Sequence, residues 1–397
     1  MSRRGFASAL LVGGTVLLPE RVTGQQPLLG GGGMSIAPTA HAVQFTTPVI
    51  QDSLLIRGVQ QAVAPLQIRA PLRGMWNLEI AGAYVFSRLE TGRGSSGRVL
   101  ELAGPTDTRV RLYGPVLRDL LQLNIAVNAP TGLVELNAEQ FAVLRTVAAP
   151  ALGMPVPVMG GGLGGTVGLT AAYQVAGWAL GAGLSHEIRT RYTPVEAALV
   201  GAVSNASLTP AAVTRSSVAA SRAFGRQQVA VVAGMDSYGS DLVEAAVAGR
   251  TEQVRYRLGS TRSATANWHV SNFVVRSIDV TGSLRQRGAF SDARGQLAAG
   301  SDGTFADLAV RLGIGHPRRA GLELGGDVRS QSGLDIDPTM ATAGVSAVGG
   351  GITLRLPAGG AVWRLSGRVE QGTLFTGLQD AAFQAATVSI SIGPRTR

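Results

Sequence analysis

The chain has 397 residues, of which 45% are hydrophobic, only 15% are charged and none is cysteine. Soluble domains usually carry a charge on about a quarter of their residues, so this composition argues against one. No apolar run of about 18 residues follows the N-terminus, so the sequence offers no membrane-spanning helix. A chain this apolar, with 54 glycines, is expected to place its apolar surface in β-sheets, against either a protein core or lipid.

All 35 basic residues are arginine, and the formal net charge is +10. Two explanations remain open. A high genomic GC content favours arginine codons, whereas a functional requirement would favour the guanidinium group, which binds carboxylate or phosphate with two bonds. The second explanation suits a pore wall or the phosphates of lipopolysaccharide. The absence of cysteine fits an exported protein without disulfides.

The N-terminus has the pattern of an export signal. Arg3 and Arg4 precede an apolar stretch over residues 6–18, and small residues follow shortly after it. This order predicts a signal peptide over 1–24 and a flexible, glycine-rich lead-in over 25–50. The paired arginines also fit the twin-arginine route, which carries folded proteins and would argue against a membrane barrel.

Residues 51–397 repeatedly alternate between apolar and polar side chains, as half-buried strands do. Short clusters of Gly, Asp, Ser or Pro separate the alternating runs and indicate turns. About 12–14 such segments of some ten residues suit a membrane barrel. We therefore predict an all-β fold, a single antiparallel transmembrane β-barrel of about 12–14 strands with one helix-bearing loop, over 51–397. Clear examples begin at Trp76, Leu121, Val167, Val254, Leu308, Leu322, Ile352 and Val388.

Charged side chains on the polar faces distinguish a membrane barrel from a soluble sandwich. An arginine at the lipid midplane would cost about 2–4 kcal/mol, so these side chains are expected to face a wet lumen. Aromatic residues near the ends of the alternating segments fit the girdles of a membrane barrel. The residues predicted to line the lumen are Arg109, Arg111, Arg255, Arg257, Arg311, Arg329, Arg355, Glu79 and Glu323.

One segment, residues 133–165, does not alternate. Residues 136–149 are compatible with a helix, in which Asn137 is a candidate N-cap and Gln140 completes a capping box. A proline- and glycine-rich stretch follows without the lysine of a phosphate-binding loop, so nucleotide binding is not expected. The segment is interpreted as a constriction in the lumen or as an external cap, and an ordinary surface loop is an equal alternative.

Several motifs resemble outer-membrane barrels related to the long-chain fatty acid transporter and to the aromatic-hydrocarbon channels of phenol-degradation pathways. The resemblance rests on residues 106–113, on 128–132 at the end of a strand, on the helix with Glu139, and on the strand containing 178–181. It covers roughly residues 54–195. It implies an outer-membrane channel for hydrophobic solutes.

The sequence shows little sign of enzymatic chemistry. The histidines stand alone, without the spacing of a metal site, so neither a metal nor a cofactor is expected. His186 lies between Ser185 and Glu187, but neighbouring residues of a strand face opposite ways, which favours a polar rim residue. His269 beside Trp268 fits a membrane-interface position. No basic cluster interleaved with aromatic residues indicates nucleic-acid binding. The four histidines are His41, His186, His269 and His316.

These observations predict a non-enzymatic barrel in the bacterial outer membrane. The first hypothesis is a channel for passive uptake of small hydrophobic or anionic solutes, because rings of charge in a pore select ions by sign. The alternative is a non-conducting structural or binding barrel, whose lumen is filled by side chains. The expected partners are outer-membrane lipid and lipopolysaccharide, small solutes and the barrel-assembly machinery.

Overall fold

The computed structural model describes residues 33–51, 54–92, 97–117, 120–156, 158–193, 203–247, 250–271, 276–291, 294–297, 301–315, 319–333, 344–358, 361–376 and 379–394. Nearly all regular structure in these ranges is β-strand. Strands of the first half are β1 Gly33–Ile36, β2 Thr39–Gln51, β3 Leu54–Pro71, β4 Asn77–Thr91, β5 Arg98–Pro105, β6 Thr108–Leu117, β7 Leu121–Ala129, β8 Gly164–Val175, β9 Trp178–Arg189, β10 Val203–Thr209 and β11 Val213–Phe224. The remaining strands are β12 Gln227–Tyr238, β13 Asp241–Val247, β14 Arg250–Tyr256, β15 Thr261–Ser271, β16 Ser277–Arg287, β17 Gly303–Ile314, β18 Gly321–Ser332, β19 Gly344–Ala358, β20 Ala361–Phe375 and β21 Asp380–Pro394. The α-helix, α1, spans Ala138–Val147, and short 3-10 helices span Arg73–Met75 and Pro150–Leu152.

The strands close into one antiparallel barrel. Eighteen strands form a single sheet, in which β21 pairs with β20 on one side and with β2 on the other. β1 and β2 both pair with β3, one after the other along its length, so together they occupy one strand position of the wall. β5 and β6 pair with β4 in the same way. Within the described residues the wall therefore has sixteen strands. This confirms the predicted barrel, whereas the expected number of about 12–14 strands is too low.

Alternating side chains give the barrel two different faces. In β18, Glu323, Asp327 and Arg329 face the interior, whereas Leu324 and Val328 point outward and remain 36% and 49% exposed. The same alternation leaves large apolar side chains exposed on strands all round the barrel. Successive residues of a strand point to opposite faces, so one register places the charges of β18 inside and its large apolar residues outside.

Connections differ in length at the two ends of the barrel. At one end the strands are joined by short turns, such as residues 176–177 between β8 and β9 and 225–226 between β11 and β12. The other end carries longer connections, including residues 130–163 between β7 and β8. We call these the turn end and the loop end. β10, β13 and β14 belong to loop-end connections and form a separate three-stranded sheet.

Residues 130–163, here called the lumen segment, fold back into the barrel. α1 begins at the predicted N-cap, where Asn137 and Gln140 form the reciprocal bonds of a capping box. The buried side chains of Val143 and Val147 on α1 join one apolar cluster with interior wall residues of β3 and β4, such as Val59 and Val85, and with Leu100 of β5. The segment is therefore a constriction of the lumen rather than an external cap or a surface loop.

The predicted lead-in can be compared with the structure from residue 33 onward. Residues 39–50, expected to belong to a flexible lead-in over 25–50, instead lie in β2, which closes the barrel against β21. The many Thr, Gln and Ala residues here weaken the alternation that marks strands elsewhere. The predicted signal peptide over 1–24 lies outside the described residues.

Candidate functional site

The interior of the barrel holds a cavity of about 2400 Å³. It extends from residues near the turn end, such as Trp76 and Gln174, to the lumen segment at Gly161. Its lining includes nine arginines and seven carboxylates, which leaves a small excess of positive charge. The arginines are Arg69, Arg109, Arg111, Arg189, Arg215, Arg311, Arg329, Arg364 and Arg368, and the acids are Glu79, Asp107, Glu187, Asp307, Glu323, Asp327 and Glu370.

A first charged cluster lies on neighbouring strands β3, β4 and β6. Arg69 donates to Glu79 across the strand pair at 2.9 Å. Arg111 lies opposite Glu79 in the register of β4 and β6, and its guanidinium carbon is 4.8 Å from the centre of the Tyr113 ring. The Nε atom of Arg109 is buried without a hydrogen-bond partner. Two guanidinium groups, those of Arg69 and Arg111, therefore lie opposite one carboxylate, and Arg109 lies two residues along β6 on the same part of the wall.

A second cluster is centred on Glu187 of β9. Its carboxylate accepts a bond from Arg189 at 2.7 Å and another from Arg215 of β11 at 2.6 Å. Arg215 also lies 3.9 Å from Asp236 on β12. Both carboxylate oxygens of Glu187 therefore accept a bond from an arginine.

A third cluster lies on β18 and β20. Arg329 and Glu370 form an ion pair in which both side chains are only 3% exposed. Glu370 also pairs with Arg368, which in turn donates to Asp327 through Nε at 2.9 Å. Gly153 of the lumen segment comes close to Arg329, because a Cβ atom at Gly153 would lie 3.5 Å from the guanidinium. The tip of the lumen segment thus rests near this network.

Two polar wall residues fasten the lumen segment to the barrel. The Gln61 side-chain amide donates to the Val156 carbonyl oxygen at 2.9 Å and accepts from the Val156 N–H at 2.8 Å. It also donates to the Ser87 hydroxyl at 3.1 Å. His41 bridges from the Thr387 hydroxyl to the carbonyl oxygen of Leu152, at 2.7 and 3.1 Å. These bonds satisfy backbone groups that would otherwise be buried without partners.

Asp107 holds both ends of the lumen segment. It lies at the break between β5 and β6, where one extra residue interrupts the pairing with β4 and reverses the side-chain alternation. One carboxylate oxygen accepts from the Gly132 N–H at 3.0 Å and the other from the Gly161 N–H at 2.7 Å. A Cβ atom at Gly132 would lie 2.3 Å from the Met159 carbonyl oxygen, so this clamp requires glycine there.

The structure brings together six of the nine residues predicted to line the lumen. Arg355 shares the interior face of β19 with Thr353, near the turn end. Arg255 and Arg257 are elsewhere: Arg255 belongs to β14 in the separate sheet, and Arg257 follows that strand. Any two-faced strand alternates, so the pattern around Val254 could not distinguish a loop sheet from the wall. The six cavity-lining residues are Glu79, Arg109, Arg111, Arg311, Glu323 and Arg329.

The residues that fasten the lumen segment were not identified from the sequence. His41 was singled out only as an isolated histidine, and Gln61 gave no signal, because a lone glutamine on a strand has no characteristic pattern. Asp107 stood inside a motif that carried the family resemblance, between Thr106 and Thr108. The reversal of the alternation at Asp107 is the sequence signal that could have identified this residue.

His269 faces the lumen near the turn end, while Trp268 points outward. The imidazole Nδ1 lies 2.6 Å from Asp279 and Nε2 lies 3.1 Å from the Ser271 hydroxyl. This is the order of a serine hydrolase triad, but the backbone N–H of Ser271 donates to the Arg226 carbonyl oxygen and cannot stabilise an oxyanion. His186 lies on the outer face and pairs with the Thr214 hydroxyl at 2.9 Å. His316 lies outside the described residues.

Neither helices nor metal ligands in the described ranges suggest another kind of site. No helix there combines the length and apolar character needed to cross a bilayer. No group of three or more His, Cys, Asp and Glu side chains in the same ranges is placed to hold a metal ion.

Comparisons with known proteins place the chain beside barrels of low sequence identity. No family model and no curated protein matches the sequence. OpdK of Pseudomonas aeruginosa with vanillate is 10% identical and has a TM-score of 0.44, over 90% of this chain and 97% of OpdK. Pseudomonas putida OprB is 8% identical with a TM-score of 0.47, over 91% and 94%. The CymD monoaromatic hydrocarbon channel is 11% identical with a TM-score of 0.40, over 97% and 92%. Likeness at this level carries no argument about the function of this chain.

Proposed function

We propose that the chain is an outer-membrane channel for passive diffusion of small solutes, with a preference for anions. The observation that carries this proposal is the contrast between the two faces of the barrel. Exposed apolar side chains cover the outside, whereas the inside holds a large cavity lined by ionised groups. A bilayer requires an apolar exterior and a closed sheet without edges, and ionised groups keep their hydration in a wet lumen.

The anion preference follows from the first charged cluster. Arg109 and Arg111 lie on the cavity wall, and the carboxylate opposite Arg111, Glu79, already pairs with Arg69. Since charged groups in a pore select permeating ions by sign, these arginines attract anions more than cations. The second and third clusters pair arginine with carboxylate and contribute less net charge.

Reversal potentials measured across a planar bilayer under a salt gradient test this proposal. We expect the wild-type channel to favour chloride over potassium, and the double variant R109Q/R111Q to lose most of that preference. R255Q is the matched control, because Arg255 lies in the separate sheet and not on the cavity wall. Cation preference in the wild type, or equal selectivity in all three proteins, would contradict the anion channel.

The alternative of a non-conducting barrel has one observation in its favour, the apolar cluster that fixes the lumen segment inside the wall. Absence of solute flux in liposomes that contain correctly folded protein would support it. Uptake of apolar aromatics in preference to organic anions would instead support kinship with the fatty acid and aromatic-hydrocarbon transporters, which rests on the sequence resemblance. Contact with lipopolysaccharide and insertion by the barrel-assembly machinery are parts of the same proposal.

A further inference from the structure

Arg222 is a charged residue on the outer face of the barrel, near the turn end. In β11 it lies opposite Trp178 of β9 and Val229 of β12. The turn at residues 225–226 follows it closely in the chain, and the turn at 176–177 is close in space, since a Cβ atom at Gly177 would lie 3.8 Å from Arg222 Nε. Phe224, on the same face, is 46% exposed. The surroundings of Arg222 are therefore apolar and aromatic.

Two aromatic rings hold the Arg222 guanidinium. Its central carbon lies 4.8 Å from the Phe224 ring centre and 5.6 Å from the Trp178 ring centre. The two rings meet edge to face, with centroids 6.4 Å apart. Within the described part of the chain, no carboxylate lies within ion-pair distance of Arg222. Cation–π contacts orient a guanidinium and leave its N–H groups free to bind an anion.

The wall next to Arg222, toward the middle of the barrel, has a shape that suits an acyl chain. Ala220 is the next outward residue of β11, and it lies between Leu180 and Val231 on the neighbouring strands. Leu180 and Val231 are 39% and 45% exposed. A small residue between two larger ones makes a shallow apolar furrow that leads away from the guanidinium.

We propose that Arg222, held by Trp178 and Phe224, binds the phosphate of an anionic phospholipid whose acyl chain lies along Ala220. This site rests on the proposed location in a membrane. An outward arginine is costly at the lipid midplane but costs only about 0–1 kcal/mol near an interface, where lipid phosphates lie. The guanidinium fork binds a phosphate with two parallel bonds, which a lysine cannot reproduce.

Native mass spectrometry of the full mature chain tests the site. The protein is released from nanodiscs containing equal amounts of phosphatidylglycerol and phosphatidylcholine, and the lipids it retains are counted. We expect the wild type to retain one phosphatidylglycerol that R222Q lacks, with an affinity difference of about tenfold or more, because a hydrogen-bonded charge is lost. R222K is expected to retain it only weakly. R262Q is the control, since Arg262 faces outward at the loop end of β15.

Equal retention of phosphatidylglycerol by the wild type and R222Q would overturn the site. Displacement of the lipid by an equal concentration of inorganic phosphate would also overturn it, since the anion alone would then account for binding. Solute flux measured on the same preparations separates this inference from the proposed channel. Specific lipid retention without flux would leave the lipid site standing while the channel fails.

Discussion

Replacing Gln61 with leucine should release one side of the lumen segment. Gln61 is 2% exposed and makes three hydrogen bonds, two to the backbone of Val156 and one to Ser87. Leucine has a similar size but cannot replace these bonds, and each one contributes about 1 kcal/mol net. Only the two bonds to Val156 join the segment to the wall, so the attached state would lose about 2 kcal/mol relative to the detached state. This raises the population of the detached state by about thirtyfold.

Single-channel recording in planar bilayers measures this effect directly. We expect Q61L to switch between conductance levels far more often than the wild type, and to show a higher mean conductance. Q60L is the matched control, because Gln60 is the neighbouring residue on β3 but is exposed on the outer face. Wild-type switching and conductance in Q61L, with the barrel correctly folded, would refute the idea that these bonds hold the segment.

Three further predictions concern the interior of the barrel. D107A should lose both bonds to the ends of the lumen segment, about 2 kcal/mol in total. Limited proteolysis should then cut this segment faster than in the control D302A, because Asp302 is an exposed residue just before β17. E370Q should leave the buried Arg329 guanidinium without its carboxylate. Urea unfolding of the refolded barrel should then show a free energy of unfolding lower by about 3–5 kcal/mol. A decrease below about 1 kcal/mol would mean that water reaches this pair. Ser271 should not react with a fluorophosphonate probe, because its backbone N–H is already used, and labelling that S271A abolishes would reveal a hydrolase instead.

Much of the fold could be derived from the sequence because a barrel wall has a simple physical rule. Strands such as β18 and β19 separate lipid from water over their whole length, so each second residue must be apolar. The alternation therefore predicts that Glu323 and Arg329 face the interior and that Leu324 points outward. The start of the helix could also be predicted, because Asn137 and Gln140 satisfy its first N–H groups through purely local bonds.

The local sequence pattern did not predict the structure where a strand does not separate lipid from water, or where its partner strand is distant in the sequence. Arg255 alternates with its neighbours because β14 belongs to a two-faced sheet, and nothing local shows that this sheet lies outside the wall. β2 was missed because its polar and small residues alternate weakly. Its place is set by pairing with β21, more than 330 residues away along the chain.

The sequence by itself determined that the chain folds as a β-barrel with a charged interior and one helix, because alternation and capping are local properties. Only the tertiary structure decided what fills that interior. Gln61 and Val156 are 95 residues apart, and Arg329 and Glu370 are 41 apart. Such contacts depend on how sixteen strands close and how one loop folds inward, and the free energy that selects them arises between distant residues rather than along the chain.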